Sequence, residues 1–271
     1  MNQTMPTFFI PHGGGPCFFM DWSLTGDPAD TWNATADWLR HLSTGLPSTP
    51  KAIVVISGHW EEPAFTAASV ARPSLIYDYT GFPAHTYQLQ YPAPGSPAIA
   101  QHVVELLQGA GLPARTDTSR GFDHGIFIPF LLLFPKADIP IVPLSLQQGL
   151  DPELHLEAGR ALRSLRNEGV LIVGSGMSYH NMRGFRTAAG AEDSEIFDRW
   201  LTRALTDSDL AHRWSNLRQW SQAPAARAAH PREEHLLPLM VAAGAAFEEP
   251  GERVFSDTVM RGARISGYRF G

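Results

Sequence analysis

Five of the chain's 11 histidines stand where an imidazole can take part in chemistry. Three apolar runs each lead into a loop that carries one. Phe8-Phe9-Ile10 precedes Pro11-His12-Gly13-Gly14, Ile53-Val54-Val55-Ile56 precedes Ser57-Gly58-His59-Trp60, and Leu171-Ile172-Val173 precedes Gly174-Ser175-Gly176 and then His180. His124, in Gly121-Phe122-Asp123-His124-Gly125, is a fourth, and His235, after Glu233-Glu234, is a fifth. Any one histidine after a strand is more often a hydrogen-bonded structural residue than a functional one. Repetition at three strand ends is harder to assign to packing. Glycine beside His12, His59 and His124 permits close backbone approach to a ligand. Imidazole suits zinc, copper, iron and nickel, so the pattern points to a metal site.

For these loops to meet, the strands before them must be parallel neighbours, because ligands of open α/β sheets bind outside the carboxyl ends of the strands. The elements allow this. Apolar runs at 7–10, 52–56, 139–146 and 170–173 read as buried strands. Helices are expected over about 28–46, 97–111, 126–134 (with Pro129 in a first turn), 152–167, largely over 194–220, and within 230–246. Residues 77–95, rich in aromatics, Pro and Gly, read as irregular, and 254–255 and 265–270 as closing strands. Strand, helix, strand order implies βαβ units. With no repeat and no low-complexity linker, the chain reads as one α/β domain over 1–271 with the metal site at the carboxyl ends of its strands. The other histidines are weaker candidates. His41, His102, His155 and His212 fall in helices, solvent-facing or half-buried; His85 has a structural place in the aromatic segment; His230, before Pro231, reads as a turn or cap residue. Cys17 near His12 reads as core filler.

Composition narrows the partners. A net charge of -6 gives no attraction to a nucleic-acid backbone or an anionic membrane. No apolar run approaches the ~20 residues of a membrane span. Met1 to Pro11 has no basic segment followed by an apolar one, so no signal peptide is expected. The single cysteine cannot form an internal disulfide. Together these favour the cytoplasm. A homo-oligomer is compatible with the composition.

The same segments give the chain a resemblance to the class III extradiol ring-cleavage dioxygenases, in the DOPA-dioxygenase-type branch of the LigB superfamily. The similar segments are Pro11-His12-Gly13-Gly14, Ser57-Gly58-His59-Trp60, Tyr91-Pro92-Ala93-Pro94-Gly95, Gly121-Phe122-Asp123-His124-Gly125, Ala137-Asp138-Ile139-Pro140, Gly174-Ser175-Gly176 with His180-Asn181, and His230-Pro231 with Glu234-His235-Leu236-Leu237-Pro238. Each is short, but all seven occur in family order. The resemblance implies a mixed central β-sheet flanked by helices. It implies metal ligation by His12, His59 and His235. Glu234 competes with His235 for the third place, because non-haem iron oxygenases commonly use two His and one carboxylate. It makes His180 the catalytic acid–base, close enough to the metal to be a fourth ligand in some members. His124 becomes a second catalytic histidine that contacts substrate or oxygen.

The reaction so implied opens a catechol-type ring with O2 to a muconic-semialdehyde-type product, incorporating both oxygen atoms. Fe(II) is the active metal; Zn(II) fits the same site but has no redox step. His180 takes a catechol proton and later returns it. Trp60, Phe127 and Tyr179 are candidates for substrate contact, with Phe18 beside them, and Arg120 or Arg183 for holding a substrate carboxylate. Two alternatives use the same residues: a zinc-dependent hydrolase with Glu234 as base, and a non-enzymatic binding protein, since the MEMO proteins resemble the same fold put to interaction use.

Overall fold

The computed structural model describes residues 4–271; the first three residues of the Met1–Pro11 segment lie outside it. Eight strands form one sheet: β1 (Thr7–Pro11), β2 (Ala52–Glu62), β3 (Phe65–Ala68), β4 (Ala114–Asp117), β5 (Ile141–Gln147), β6 (Val170–Gly176), β7 (Gly251–Val259) and β8 (Ala263–Phe270). Their order is β4-β3-β5-β2-β6-β1-β8-β7. The central four, β5, β2, β6 and β1, are parallel to one another. β3 lies antiparallel to β5, and β8 antiparallel to both β1 and β7. The sheet is therefore mixed, as the resemblance implied.

Continuous apolar runs belong in such a centre because both faces of each strand are buried. Successive side chains alternate between faces. Phe8, Ile10, Ile53, Val55, Leu171 and Val173 enter one core, while Phe9, Val54, Ile56, Val170 and Ile172 enter the other. The helices that cover the sheet are α1 (Asn33–Leu42), α2 (Pro97–Gly109), α3 (His124–Leu133), α4 (Pro152–Ala161), α5 (Ser164–Asn167), α6 (Ala188–Thr206), α7 (Leu210–Arg218), α8 (Ala226–Ala229) and α9 (Leu237–Ala246). Several start on side-chain caps: Ser96 accepts from the Ile99 amide, Asp151 from Glu153 and Leu154, and Asp209 from His212. Among the described residues, no helix is long and apolar enough to cross a membrane.

The structure departs from the sequence reading in several places. β3 and β4 were not anticipated; at four residues each they are too short to show a period. The helix expected over 152–167 breaks between α4 and α5, and the one expected over 194–220 becomes α6 and α7, because Asp209 caps a new start. The closing strands extend into a full hairpin, β7–β8. β2 runs on to Glu62, so His59 lies within a strand, at a register shift between Ile56 and Glu61. Such a shift bends a strand and re-aims its side chains. α3 begins at His124, which places Pro129 inside the helix. Proline there lacks the N–H that would bond the carbonyl four residues back, so the Gly125 carbonyl is left without its helical donor.

Candidate metal centre

The parallel centre sends β1, β2 and β6 to one edge of the sheet, and five histidines meet there. His12 is the first residue after β1, with its amide donating to the Gly176 carbonyl (3.1 Å). His59 projects from the irregular half of β2. His124 opens α3, His180 follows β6, and His235 sits in the turn before α9. All five line a single cavity of about 400 Å³.

Close backbone packing explains how His235 reaches the sheet. A Cβ on Gly176 would lie 2.1 Å from the His235 carbonyl oxygen, and one on Gly174 would lie 2.2 Å from the Pro238 oxygen. Only bare glycines let the start of α9 rest directly on β6. The Met177 amide then donates to that same His235 carbonyl (3.0 Å).

The outward nitrogens of His12, His124 and His235 are held by oxygen acceptors. The Ser175 hydroxyl donates to the Gly125 carbonyl that Pro129 leaves free, so its oxygen accepts from His12 Nδ1–H (3.1 Å). Glu234 Oε1 accepts from His235 Nδ1–H (3.0 Å) and lies 3.4 Å from His180 Nδ1. Asp78 Oδ1 accepts from His124 Nδ1–H and from the His124 amide, both at 2.9 Å, while Oδ2 is 3.8 Å from His59 Nδ1. A partner on one nitrogen fixes the tautomer and leaves the other nitrogen's lone pair free. Here the Nε2 lone pairs of His12 and His235 point inward. Each lies 3.2 Å from His59 Nε2. One proton on His59 would satisfy one of these contacts and not both.

Electrostatics agree. Burial, reinforced by neighbouring imidazoles, holds His12 and His59 well below the usual imidazole range. Burial also lowers His235, to about 4, against the pull of Glu234. These rings are neutral at pH 7, the form that binds metal. Burial works to raise Glu234, but hydrogen bonds from His180 and His235 outweigh it and hold the carboxyl well below its usual range.

The donor set fits a divalent ion. Two nitrogens about 2.1 Å from one ion and separated by 3.2 Å subtend about 100°, between octahedral and tetrahedral angles. Proximity alone groups the donors as His12, His59 and His124, and as His180, Glu234 and His235. In the second grouping Glu234 faces the outer nitrogens of its histidines, accepting from His235 Nδ1–H (3.0 Å) and lying 3.4 Å from His180 Nδ1, so it holds the rings from behind. The two groups touch at the His59–His235 contact, where the lone pairs converge.

A network beneath the site was not legible beforehand. Buried Asp123 accepts from Ser57 Oγ (2.7 Å) and Arg120 Nη2 (2.8 Å), and that same Arg120 nitrogen donates to the His59 carbonyl (3.2 Å). Arg120 is thus structural, and Arg183 lies outside the cavity lining. The residues expected to touch substrate also stand elsewhere. Trp60 is buried, with the Arg120 guanidinium 5.0 Å over its ring. Phe127 is core, its ring 5.6 Å from Tyr77. Tyr179 packs behind Phe185 at 5.2 Å, and Phe18 packs on the core. None of the four lines the cavity; its aromatic wall is Trp22, Trp32, Phe82 and Phe185. One other histidine is corrected: His155 is fully buried, its Nε2 accepting from the Gln147 amide (3.2 Å). His230 is the cap residue it was read as, at the C-terminus of α8, and is fully buried with its ring donating to the Ser178 carbonyl (3.0 Å). Nothing in the sequence marked Asp78, and Ser175 stood out only as part of the Gly174-Ser175-Gly176 segment, without its role at His12.

Residues 6–271 match the family described as the catalytic LigB subunit of aromatic ring-opening dioxygenase. The chain is 41% identical over 284 residues to a dioxygenase of Hapsidospora irregularis, covering 98% of this chain and 85% of that one. It is 40% identical over 246 residues to the 4,5-DOPA dioxygenase extradiol of Beta vulgaris, covering 89% and 87%. The crystal structure of an uncharacterized Escherichia coli K12 protein superposes with a TM-score of 0.77 at 29% identity, covering 98% of this chain and all of that one. The chain therefore belongs to the LigB family of aromatic ring-opening dioxygenases, on the branch of the extradiol DOPA dioxygenases.

Proposed function

We propose that this enzyme opens a catechol-type ring to a muconic-semialdehyde-type product, with Fe(II) held by the Nε2 atoms of His12, His59 and His235. The observation that carries the reading is the pair of 3.2 Å Nε2 contacts that His59 makes with His12 and His235, whose outer nitrogens are already hydrogen-bonded. Fe(II) there would supply the electron path between a bound catechol and dioxygen; Zn(II) in the same place would support binding without that step. His180 stacks on His235 at 3.5 Å between ring centroids. With its Nδ1 on Glu234, its Nε2 takes the proton of the second catechol hydroxyl and returns it as the ring opens. His124, its Nδ1–H held by Asp78, presents the lone pair of its Nε2 to the same cavity, where it accepts a hydrogen bond from the bound substrate. Glu234 is engaged with the outer nitrogens of two histidines, which leaves His235 as the ligand. Burial of the one cysteine as a free thiol suits a reducing cytoplasmic setting.

The test is oxygen uptake by anaerobically iron-loaded protein with a panel of catechols, following the yellow ring-opened product. His180→Ala should keep metal and catechol binding and lose at least ~10²-fold in turnover. Absence of uptake with every catechol refutes the function, and unchanged turnover in the variant removes His180 from the proton path.

A further inference from the structure

We infer that the natural substrate carries a bulky, uncharged, apolar substituent on its catechol ring, rather than an amino-acid or carboxylate side chain. This rests on the ring-cleavage reading and on the lining of the cavity away from its histidines. A cavity of about 150 Å³ suffices for benzene, so about 400 Å³ leaves room for a group larger than the ring. The wall around that room is Trp22, Trp32, Phe82, Met177, Phe185 and Met260. The rim continues in kind. Met182, which also lines the cavity, is 70% exposed.

Apart from histidine, Arg186 is the one ionisable side chain among the described residues that lines the cavity. It is committed elsewhere. Its Nε and Nη2 both donate to Asp27 Oδ2, at 2.8 and 2.5 Å, and the Asp27 side chain is fully buried. A substrate carboxylate beside Arg186 would share that cation with a fixed buried anion. It would also lose hydration against an apolar wall without full compensation. Arg261, 3.8 Å from Asp27 Oδ1, is more than half exposed and does not line the cavity. An apolar substituent meets no such cost, and each CH2 it buries strengthens binding roughly fourfold.

The test uses zinc-loaded protein, in which binding is read without turnover. Isothermal titration compares 4-tert-butylcatechol with DOPA and 3,4-dihydroxyphenylacetate. The expected result is at least ~10-fold tighter binding of 4-tert-butylcatechol than of either acid, given the contribution of each buried CH2. Met260→Ala should weaken 4-tert-butylcatechol about fivefold while changing DOPA less than about twofold, and Met260→Leu should restore it. Equal or tighter binding of either acid overturns the inference, as does a Met260→Ala effect of the same size on all three ligands. If the alanine variant does not fold, the ligand order on the unmodified protein decides alone. The expected order without oxygen uptake by the iron form removes the ring-cleavage reading and leaves the apolar preference standing. Uptake with the reverse order does the opposite.

Discussion

Replacing Gly176 by alanine adds one methyl group against the backbone of His235 rather than its ring, yet it should empty the metal site. The new Cβ would lie 2.1 Å from the His235 carbonyl oxygen and 2.9 Å from Phe9 Cε2. Ordinary contact begins near 3.4 Å, so the His235 turn and β6 must separate by about 1.3 Å. The turn cannot slide aside easily, because the Met177 amide holds the same carbonyl at 3.0 Å. Metal–ligand distances tolerate only about 0.2 Å. We therefore expect about 100-fold weaker metal binding, the upper size of effect from losing a ligand's orientation. Overpacking should also cost about 1–3 kcal/mol of stability, a drop of roughly 2–4 °C in Tm per kcal/mol for a chain near this size. Metal content after dialysis, competition with a chelator, and thermal unfolding measure these effects. Gly14→Ala is the control, since a Cβ there meets nothing within 4 Å; it should retain metal. A Gly176→Ala protein with normal metal affinity and Tm would refute the claim that β6 and α9 set the ligand position by direct backbone contact.

Other expectations follow from the same geometry. His12→Ala and His59→Ala should each abolish stoichiometric metal binding, read by elemental analysis, and full retention breaks the ligand assignment. Asp78→Asn should keep metal but lower kcat roughly 10-fold, with little change in KM, because His124 loses the charge that orients it; unchanged kcat means that Asp78 orients nothing that matters. His155 makes stability pH-dependent. Burial lowers it to about 4 in the folded protein, against about 6.5 unfolded. The unfolded chain thus binds more protons between those values, and stability is full above pH 6.5 and falls as pH drops toward 4. Between pH 7 and pH 5 this one group should remove about 2 kcal/mol, and urea unfolding of His155→Gln should show a correspondingly flatter pH dependence.

What could be read from residue order was decided by physics that is local in sequence. Unbroken apolar runs marked the four central strands, and histidine beside glycine at their ends marked the site. What could not be read depends on which way a side chain points once the chain is folded. Trp60 follows a register shift in β2, so strand alternation does not assign its face. Phe127 lies on α3, buried on every side, where periodicity distinguishes no direction. Asp78 and Ser175 act through partners 46 and 163 residues away, a separation that leaves no local trace. The tautomer of His12 is traceable to Pro129 through Gly125 and Ser175, a chain of causes visible only in three dimensions.

The histidines are carried on or against the sheet, whereas the apolar wall comes from outlying pieces: a 3-10 turn at Trp22–Thr25, the segment after β6 with Phe185, and the tip of the β7–β8 hairpin with Met260. Changes in those pieces can alter what is accepted while the reacting groups stay where they are. Descendants of such a scaffold are therefore free to diversify their diet of aromatic compounds, one peripheral loop at a time, under a single inherited chemistry.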